Sequence, residues 1–410
     1  MLSPRLIALL GTLCLSSAAL CAAVAAPAAL PTKPRLVVLT DIENEPDDTQ
    51  SLVRLLLYAN DNELRELERP DPRPLWVSVW GGANTLAQAL HSLQRTRSTE
   101  AVSQAVRRLR VYAISDQDDT GAWLRRQFPD LFYVVSPGGY GNATWGAMYR
   151  EIEGIDNSTV GNDWIASHIQ QGHGPLGAVY PDIAYGMEGD TPSFLGLIPN
   201  GLNWPDKPNW GGWGGRYELY TPRREDTDPN GFNGGVPIEA ETRPIWTNAV
   251  DRYRPYVRAA FGRPIKPAER EFSDAGVTLW RWREAIQNDF AARMLWTTRA
   301  PAEANHAPVV RLAHPGALHV RAGDWITLDA SASTDPDGDS LSFLWFVYPE
   351  AGTLKTPLPI GTENLARVRF QLPEVEAAVT AHVIVQVTDK GTPALSRYQR
   401  VILQIEPRVK

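Results

Sequence analysis

The chain has 410 residues with a formal charge of −7, 43% hydrophobic and 21% charged residues, ordinary values for a folded globular protein. So mild an acidity argues against nucleic acid or an anionic membrane surface as the main partner. Both cysteines, Cys14 and Cys21, fall within the first 25 residues, so the remainder has no disulfide, no thiol nucleophile and no Cys zinc site.

Arg5 precedes an apolar run from Leu6 to Val24 that ends in Ala23-Val24-Ala25-Ala26-Pro27. A short run with an A-x-A end reads as a secretory signal over residues 1–25 rather than a membrane anchor, and predicts a secreted or periplasmic protein. The apolar stretch Leu36-Val37-Val38-Leu39 is a buried strand. It leads into Asp41-Ile42-Glu43-Asn44-Glu45-Pro46-Asp47-Asp48 and then the helical stretch Ser51–Tyr58. Five carboxylates therefore stand at the carboxyl end of a strand, where ligands bind in open α/β sheets. Carboxylates so close repel unless a cation is present, and all-oxygen ligation suits Ca²⁺ or Mg²⁺. The other reading is a solvated acidic loop in which Asp47 or Asp48 caps the helix.

Further along, Leu75–Trp80 is a buried strand followed after Gly81-Gly82 by a helix from Asn84 to Leu93. Leu109–Ile114 is a strand ending in Ser115-Asp116-Gln117-Asp118-Asp119. A helix around Gly121–Phe128 leads to a strand at Leu131–Val135. This alternation predicts a mostly parallel sheet with right-handed crossovers, occupying an α/β domain over residues 34–300. The stretch Thr297–Pro308 reads as a linker. Beyond it the pattern changes to period two in Trp325–Leu328, Leu341–Val347, Ala366–Phe370, Ala381–Val387 and Tyr398–Gln404, which predicts an immunoglobulin-like β-sandwich over residues 301–410. Its loop Asp335-Pro336-Asp337-Gly338-Asp339 reads as a turn of self-bonding Asp side chains, with Ca²⁺ binding the less favoured option.

Asp41-x-Glu43-x-x-x-Asp47-Asp48 resembles the aspartate signature of the nucleoside hydrolases, with Glu43 where that family carries Asp. Gly81 to Leu90 resembles the second signature, where a backbone carbonyl binds the same Ca²⁺, and Ser136-Pro137-Gly138-Gly139 resembles the third glycine turn. The closer similarity is to secreted bacterial proteins described as cellulose-binding, with a nucleoside-hydrolase-like domain and a C-terminal sandwich. Met187–Leu195, and Asn200-Gly201-Leu202-Asn203 through Gly211–Tyr217, look like that family too. One departure is plain: residues 60–77 lead almost directly from the first helix to the second strand, where the resembled families place a further strand and several helices. The domain is shortened between 60 and 75, and one wall of the expected pocket is missing on this reading.

The resemblance implies a set of roles. Asp48 would ligate Ca²⁺, with the backbone carbonyl near Asn84 and an acid from a later loop, Asp190 or Glu188. Glu43 or Asp47 would take a proton from the attacking water, and the other acid would accept hydrogen bonds from sugar hydroxyls. The plain alternative for Glu188-Gly189-Asp190 is a tight turn. Independently of the resemblance, Asn203–Tyr217 is too rich in Gly and Pro for regular structure and carries Trp204, Trp210, Trp213 and Arg216. Flat aromatic faces in such loops stack on sugars while amide and Arg donors bind hydroxyls; alternatively the tryptophans plug the loop onto the core. Two functions follow: a secreted carbohydrate-associated protein that binds a polysaccharide or other sugar-containing ligand, or an active Ca²⁺-dependent hydrolase of N-glycosyl bonds.

Overall fold

In the computed structural model, which describes residues 33–41, 46–61, 73–138, 143–184, 187–227, 240–257, 266–361 and 364–408, a six-stranded sheet carries the first part of the chain. Its strands are β1 (Arg35–Leu39), β2 (Leu75–Val79), β3 (Leu109–Ala113), β4 (Phe132–Val135), β5 (Tyr217–Tyr220) and β6 (Ile245–Asn248), in the order β1-β2-β3-β4-β6-β5. All pairings are parallel except β5 with β6, so an antiparallel strand closes one edge. Between β1 and β4 the described helices are α1 (Pro46–Leu57), α2 (Asn84–Thr96), α3 (Thr99–Arg108) and α4 (Thr120–Gln127); the longest described helix, Arg283–Trp296, comes later and packs on α1.

β2 shows why a parallel sheet forms here. All five of its residues are buried, because helices or loops cover both faces. Strand alternation sends Val77 and Val79 to one side, where they pack with Leu86 and Leu90 of α2 and Leu124 of α4. Trp76 and Trp80 go to the other side, into a core with Phe194, Leu195, Trp213 and Trp282. β1 pairs directly with β2, from Arg35 opposite Leu75 to Leu39 opposite Val79, so no strand intervenes between them.

The later strands form a four-stranded sheet in the order Ala317–Arg321, Ser396–Glu406, Val379–Thr388, Ser342–Val347. Trp325–Asp329 and Arg367–Gln371 make a separate antiparallel pair. Ala317–Arg321, which the period-two reading passes over, runs parallel to the last strand. Leu328 and Phe370 from the pair meet Trp345, Val383, Val385, Val401 and Leu403 from the sheet in one core. The opposite face of the larger sheet is buried as well. Phe346, Tyr348, Ile384 and Tyr398 enter the Trp76–Trp80 core, each contributing about 1.5–3 kcal/mol of apolar burial. Gly201, with φ of +84°, lies so close to the Tyr398 carbonyl that no Cβ would fit there.

Residues 33–410 accordingly group as one compact unit. Even the stretch read as a linker is tied down: Trp296 Nε1 donates to the Asn305 carbonyl at 2.8 Å, and Asn305 Nδ2 donates to Asp389 Oδ2 and to the Pro393 carbonyl. The Asp335 loop is a turn in which Asp335 Oδ1 accepts from the amides of Asp337 and Asp339, with Gly338 at φ of +83°. Among the described residues no helix is long and apolar enough to cross a membrane. The segment read as a signal, residues 1–25, lies outside the described residues.

Candidate functional site

Pro46 opens α1, its fixed φ suited to a first helical position, and Asp47 and Asp48 occupy the first turn, where the helix dipole favours negative charge. Asp48 is buried. Its Oδ1 accepts a hydrogen bond from Thr40 Oγ1, just past β1, at 2.5 Å, and its amide donates to Asp47 Oδ1 at 3.1 Å. Asp190 arrives from a turn far along the chain and is also buried. Asp47, Asp48 and Asp190 each present a carboxylate oxygen, all within 4.8 Å of one another. At an effective dielectric constant of about 20, two full charges at that distance repel by roughly 3–4 kcal/mol.

The turn that delivers Asp190 is fixed from beneath. Gln50, Ser51 and Arg54 of α1, with Tyr58 just past its end, form a buried polar stripe. Arg54 Nε lies 2.5 Å from Glu188 Oε2, with both side chains fully buried, and its guanidinium sits 3.8 Å over the Phe290 ring. Glu188 also accepts from the Tyr180 hydroxyl at 2.6 Å and from Thr191 Oγ1 at 3.2 Å, and its own amide donates to Gln50 Oε1. Burial raises the Glu188 carboxyl above its usual range, opposed by Arg54 and by the Tyr180 hydroxyl. Glu188 is the one described non-glycine residue in the left-handed region, φ +53°, a conformation that costs about 1–2 kcal/mol and persists where surroundings over-determine it. Its contacts do so, and they set Asp190 two residues on.

The donor set fits a hard divalent cation: three carboxylates, two of them buried, and no nitrogen or sulfur ligand. The backbone leaves room for this arrangement. A Cβ at Gly189 would stand 3.3 Å from Asp47 Oδ2, tighter than ordinary contact, so a bare glycine suits the position.

Thr40, which holds Asp48, also lines a cleft of about 350 Å³ together with Asp41, Gly81, Gly82, Asn84 and Thr85, among others. Gly81 is needed there, since a Cβ would come within 2.6 Å of Asp41 Oδ1. Asn84 lies on the rim of this cleft. Its amide is committed to Asp118 Oδ2 at 3.1 Å, as part of the α2 start. Glu43 and Gly139 lie outside the described residues.

Two side chains expected to meet a ligand are turned inward. Glu188 serves the ion pair with Arg54 and does not face solvent, because its position in the left-handed turn points it back at α1. Arg216 is also buried, with Nε on Asp251 Oδ1 at 2.6 Å and a second nitrogen on Glu218 at 2.5 Å, so it braces β5 instead of reaching outward.

The tryptophan loop divides in the same manner. Trp213 is 0% exposed and packs edge-on against Tyr398, which makes it a plug. Trp204 is 51% exposed, with Trp210 half-buried beside it at a ring separation of 5.0 Å. Trp210 in turn meets the His382 ring at 4.8 Å. Arg400, on the last strand, donates to the carbonyls of Leu202, Trp210 and Gly211 at 3.0–3.1 Å and to His382 Nδ1 at 2.9 Å. Asn203 adds an inner brace, its Nδ2 donating to the carbonyls of Leu195 and Ile198 while its Oδ1 accepts from the Trp213 amide.

Sequence reasoning missed Thr40, Arg54 and Arg400. A signal existed for Arg54, since it interrupts the apolar run Leu52–Leu57 four residues after Gln50 and three after Ser51, on the same helix face. None existed for Arg400, which lies on a strand remote in sequence from the loop it holds.

Comparison with known proteins now bears on these features. A family model described as "Cellulose-binding Sde182, nucleoside hydrolase-like domain" matches residues 35–68 and 63–217. A second, "Cellulose-binding protein Sde0182, C-terminal domain", matches residues 325–405. The two pieces of the first match overlap at residues 63–68, between α1 and β2 in sequence. A solved structure of a nucleoside hydrolase-related hypothetical protein from Saccharophagus degradans, described as associated with carbohydrate metabolism, is similar at 27% identity and a TM-score of 0.69. The similarity covers 91% of this chain and 100% of that one. No curated protein matches.

Proposed function

Because this chain belongs to the family of cellulose-binding proteins with a nucleoside hydrolase-like domain, we propose that it is a secreted carbohydrate-binding protein whose Trp204–Trp210 face stacks on a polysaccharide and whose Asp47–Asp48–Asp190 cluster holds one Ca²⁺. The observation that carries the reading is the aromatic pair. Twelve of the 14 tryptophans are buried or half-buried, whereas Trp204 keeps half its surface in water beside Trp210, with the backbone under Trp210 clamped. Trp204 offers one exposed flat apolar face, with the Trp210 ring tilted by 58° beside it, and such a face is what a sugar ring stacks on. The cation would neutralise three crowded carboxylates, and the chain's own Thr40, Glu188 and Gly189 orient those carboxylates for it. Retention on insoluble cellulose tests the reading. Trp204→Ala should lower it at an unchanged melting temperature, with Trp204→Phe partly restoring it; full retention in the Ala variant would overturn it.

A second reading, hydrolysis of an N-glycosyl bond, is favoured by one observation. Thr40 both binds Asp48 and lines the 350 Å³ cleft, so the cluster stands one hydrogen bond from a space of ligand size. Asp47 would then be the general base or the hydroxyl acceptor, together with Glu43. With the chain shortened between α1 and β2, release of free base from inosine or uridine is expected to be weak or absent; fast release that disappears in Asp47→Ala would favour this second reading. For the remainder of the chain we read an immunoglobulin-like sandwich from about residue 301, supported by the shared core and by the parallel pairing of its first and last strands.

A further inference from the structure

Strand alternation in the antiparallel pair Trp325–Asp329 and Arg367–Gln371 sends Ile326, Leu328, Val368 and Phe370 into the core. Its outward row should then be polar, and all but one position obeys: Thr327, Arg369 and Gln371 are exposed, while Arg367 pairs with Asp329 at 2.7 Å. The exception is Trp325, 59% exposed, the most exposed tryptophan of the chain. Its ring carries the Arg369 guanidinium, Cζ 5.0 Å from the ring centroid. Gln371, directly across the ladder, is held by its Nε2 on the Gly323 carbonyl at 3.0 Å.

A single exposed apolar side chain is ordinary on a protein surface. Here the large ring stands in a row with a guanidinium, an amide and a hydroxyl, on a β-ladder whose outward residues repeat about every 7 Å. Arg369 lies over one face of Trp325, which restrains the ring and lowers the entropy lost when a ligand stacks on its other face. The row carries both charge signs, Arg367 and Arg369 against Asp329, which does not select an anionic surface. It combines one flat apolar face with neutral and cationic donors, the chemistry that recognises the hydroxyl-rimmed faces of an extended sugar chain.

We propose that the Trp325–Thr327–Arg369–Gln371 face is a second polysaccharide-binding surface, separate in sequence from the Trp204 loop, which lays a sugar chain along the two strands. The proposal rests on the carbohydrate-binding reading above. Two surfaces on one chain act together on an insoluble polymer, because the second contact becomes intramolecular once the first is made.

The test is retention of the full-length protein on insoluble cellulose for wild type, Trp204→Ala, Trp325→Ala, Arg369→Ala and the double tryptophan variant, with melting temperatures recorded. The expected result is at least about a fivefold loss of affinity for Trp325→Ala at an unchanged midpoint, a smaller loss for Arg369→Ala, and a larger loss for the double variant than for either single one. Retention equal to wild type in both Trp325→Ala and Arg369→Ala, with Trp204→Ala impaired, overturns this surface while leaving the loop reading intact. Unimpaired binding in all four variants overturns both. Should Trp325→Ala lower the midpoint, Arg369→Ala decides: full retention there ends the proposal. Self-association in sedimentation that disappears in Trp325→Ala would identify a second copy of the chain as the occupant and overturn it as well.

Discussion

At the acidic turn, Asp190 is set by Glu188, whose partners Arg54, Tyr180 and Thr191 all belong to the sheet-and-helix half of the chain. At the tryptophan loop the supporting hand comes from elsewhere. The carbonyls of Leu202, Trp210 and Gly211 are held by Arg400, on the last strand, and the Trp210 ring rests on His382, two strands of the C-terminal sheet acting together. Both regions use a buried arginine to fix irregular backbone, but one is self-sufficient and the other depends on the C-terminal strands. The acidic turn should therefore respond to changes in its own half, and the loop to changes on the opposite side of the interface.

Removing Arg54 should have the largest effect. Arg54→Ala leaves Glu188 buried without its cation and lowers the unfolding free energy by about 3–5 kcal/mol in chemical denaturation. A loss below about 1 kcal/mol would show that the turn is held by something other than the ion pair. Arg400→Ala comes next, at about 2–3 kcal/mol, since it strips charged donors from buried carbonyls. It should impair retention on cellulose while leaving cation binding alone; a variant that loses both, or neither, would break the division between the two regions.

Acid offers a third, more graded test of the loop side. Burial, reinforced by the neighbouring Arg400, pulls His382 down from 6.5 to about 3. The fold thus holds its neutral form, and stability from this group is complete above about pH 6.5 and lost as the pH falls towards about 3. Below pH 6.5 the slope contributed by His382 is at most about 1.4 kcal/mol per pH unit, and His382→Gln should flatten it. The smallest change sharpens the acidic side. Gly189→Ala should weaken cation binding severalfold through crowding of Asp47, at a cost in stability below about 1 kcal/mol. If cation affinity is untouched, Asp47 is not part of the ligand set.

Much of this architecture was legible in the chain. β1 to β4 stand within a residue or so of the apolar runs that announce them, and five of the C-terminal strands follow their alternation. The acidic cluster was legible at Asp47 and Asp48 because they stand in the loop and helix start that follow a buried strand, whereas Asp190 entered, as an alternative to Glu188, through the family resemblance. The finer roles were not. Glu188 and Asp190 are two residues apart and equally acidic, and only the left-handed backbone at 188 turns one to Arg54 and the other to the cluster. Trp204 and Trp213 share one loop, yet their exposures differ because the C-terminal sheet covers the second through Tyr398. Long-range packing of that kind has no local signature. Neither does the parallel strand Ala317–Arg321, whose partner is the end of the chain.

Calorimetric titration with Ca²⁺ tests the central arrangement most directly. Wild type should bind one ion per chain, with binding abolished in Asp48→Ala and in Asp190→Ala although the two residues lie more than a hundred positions apart in sequence. Absence of binding in wild type, or unchanged binding in both variants, would contradict the assignment of the three carboxylates to a single cation site.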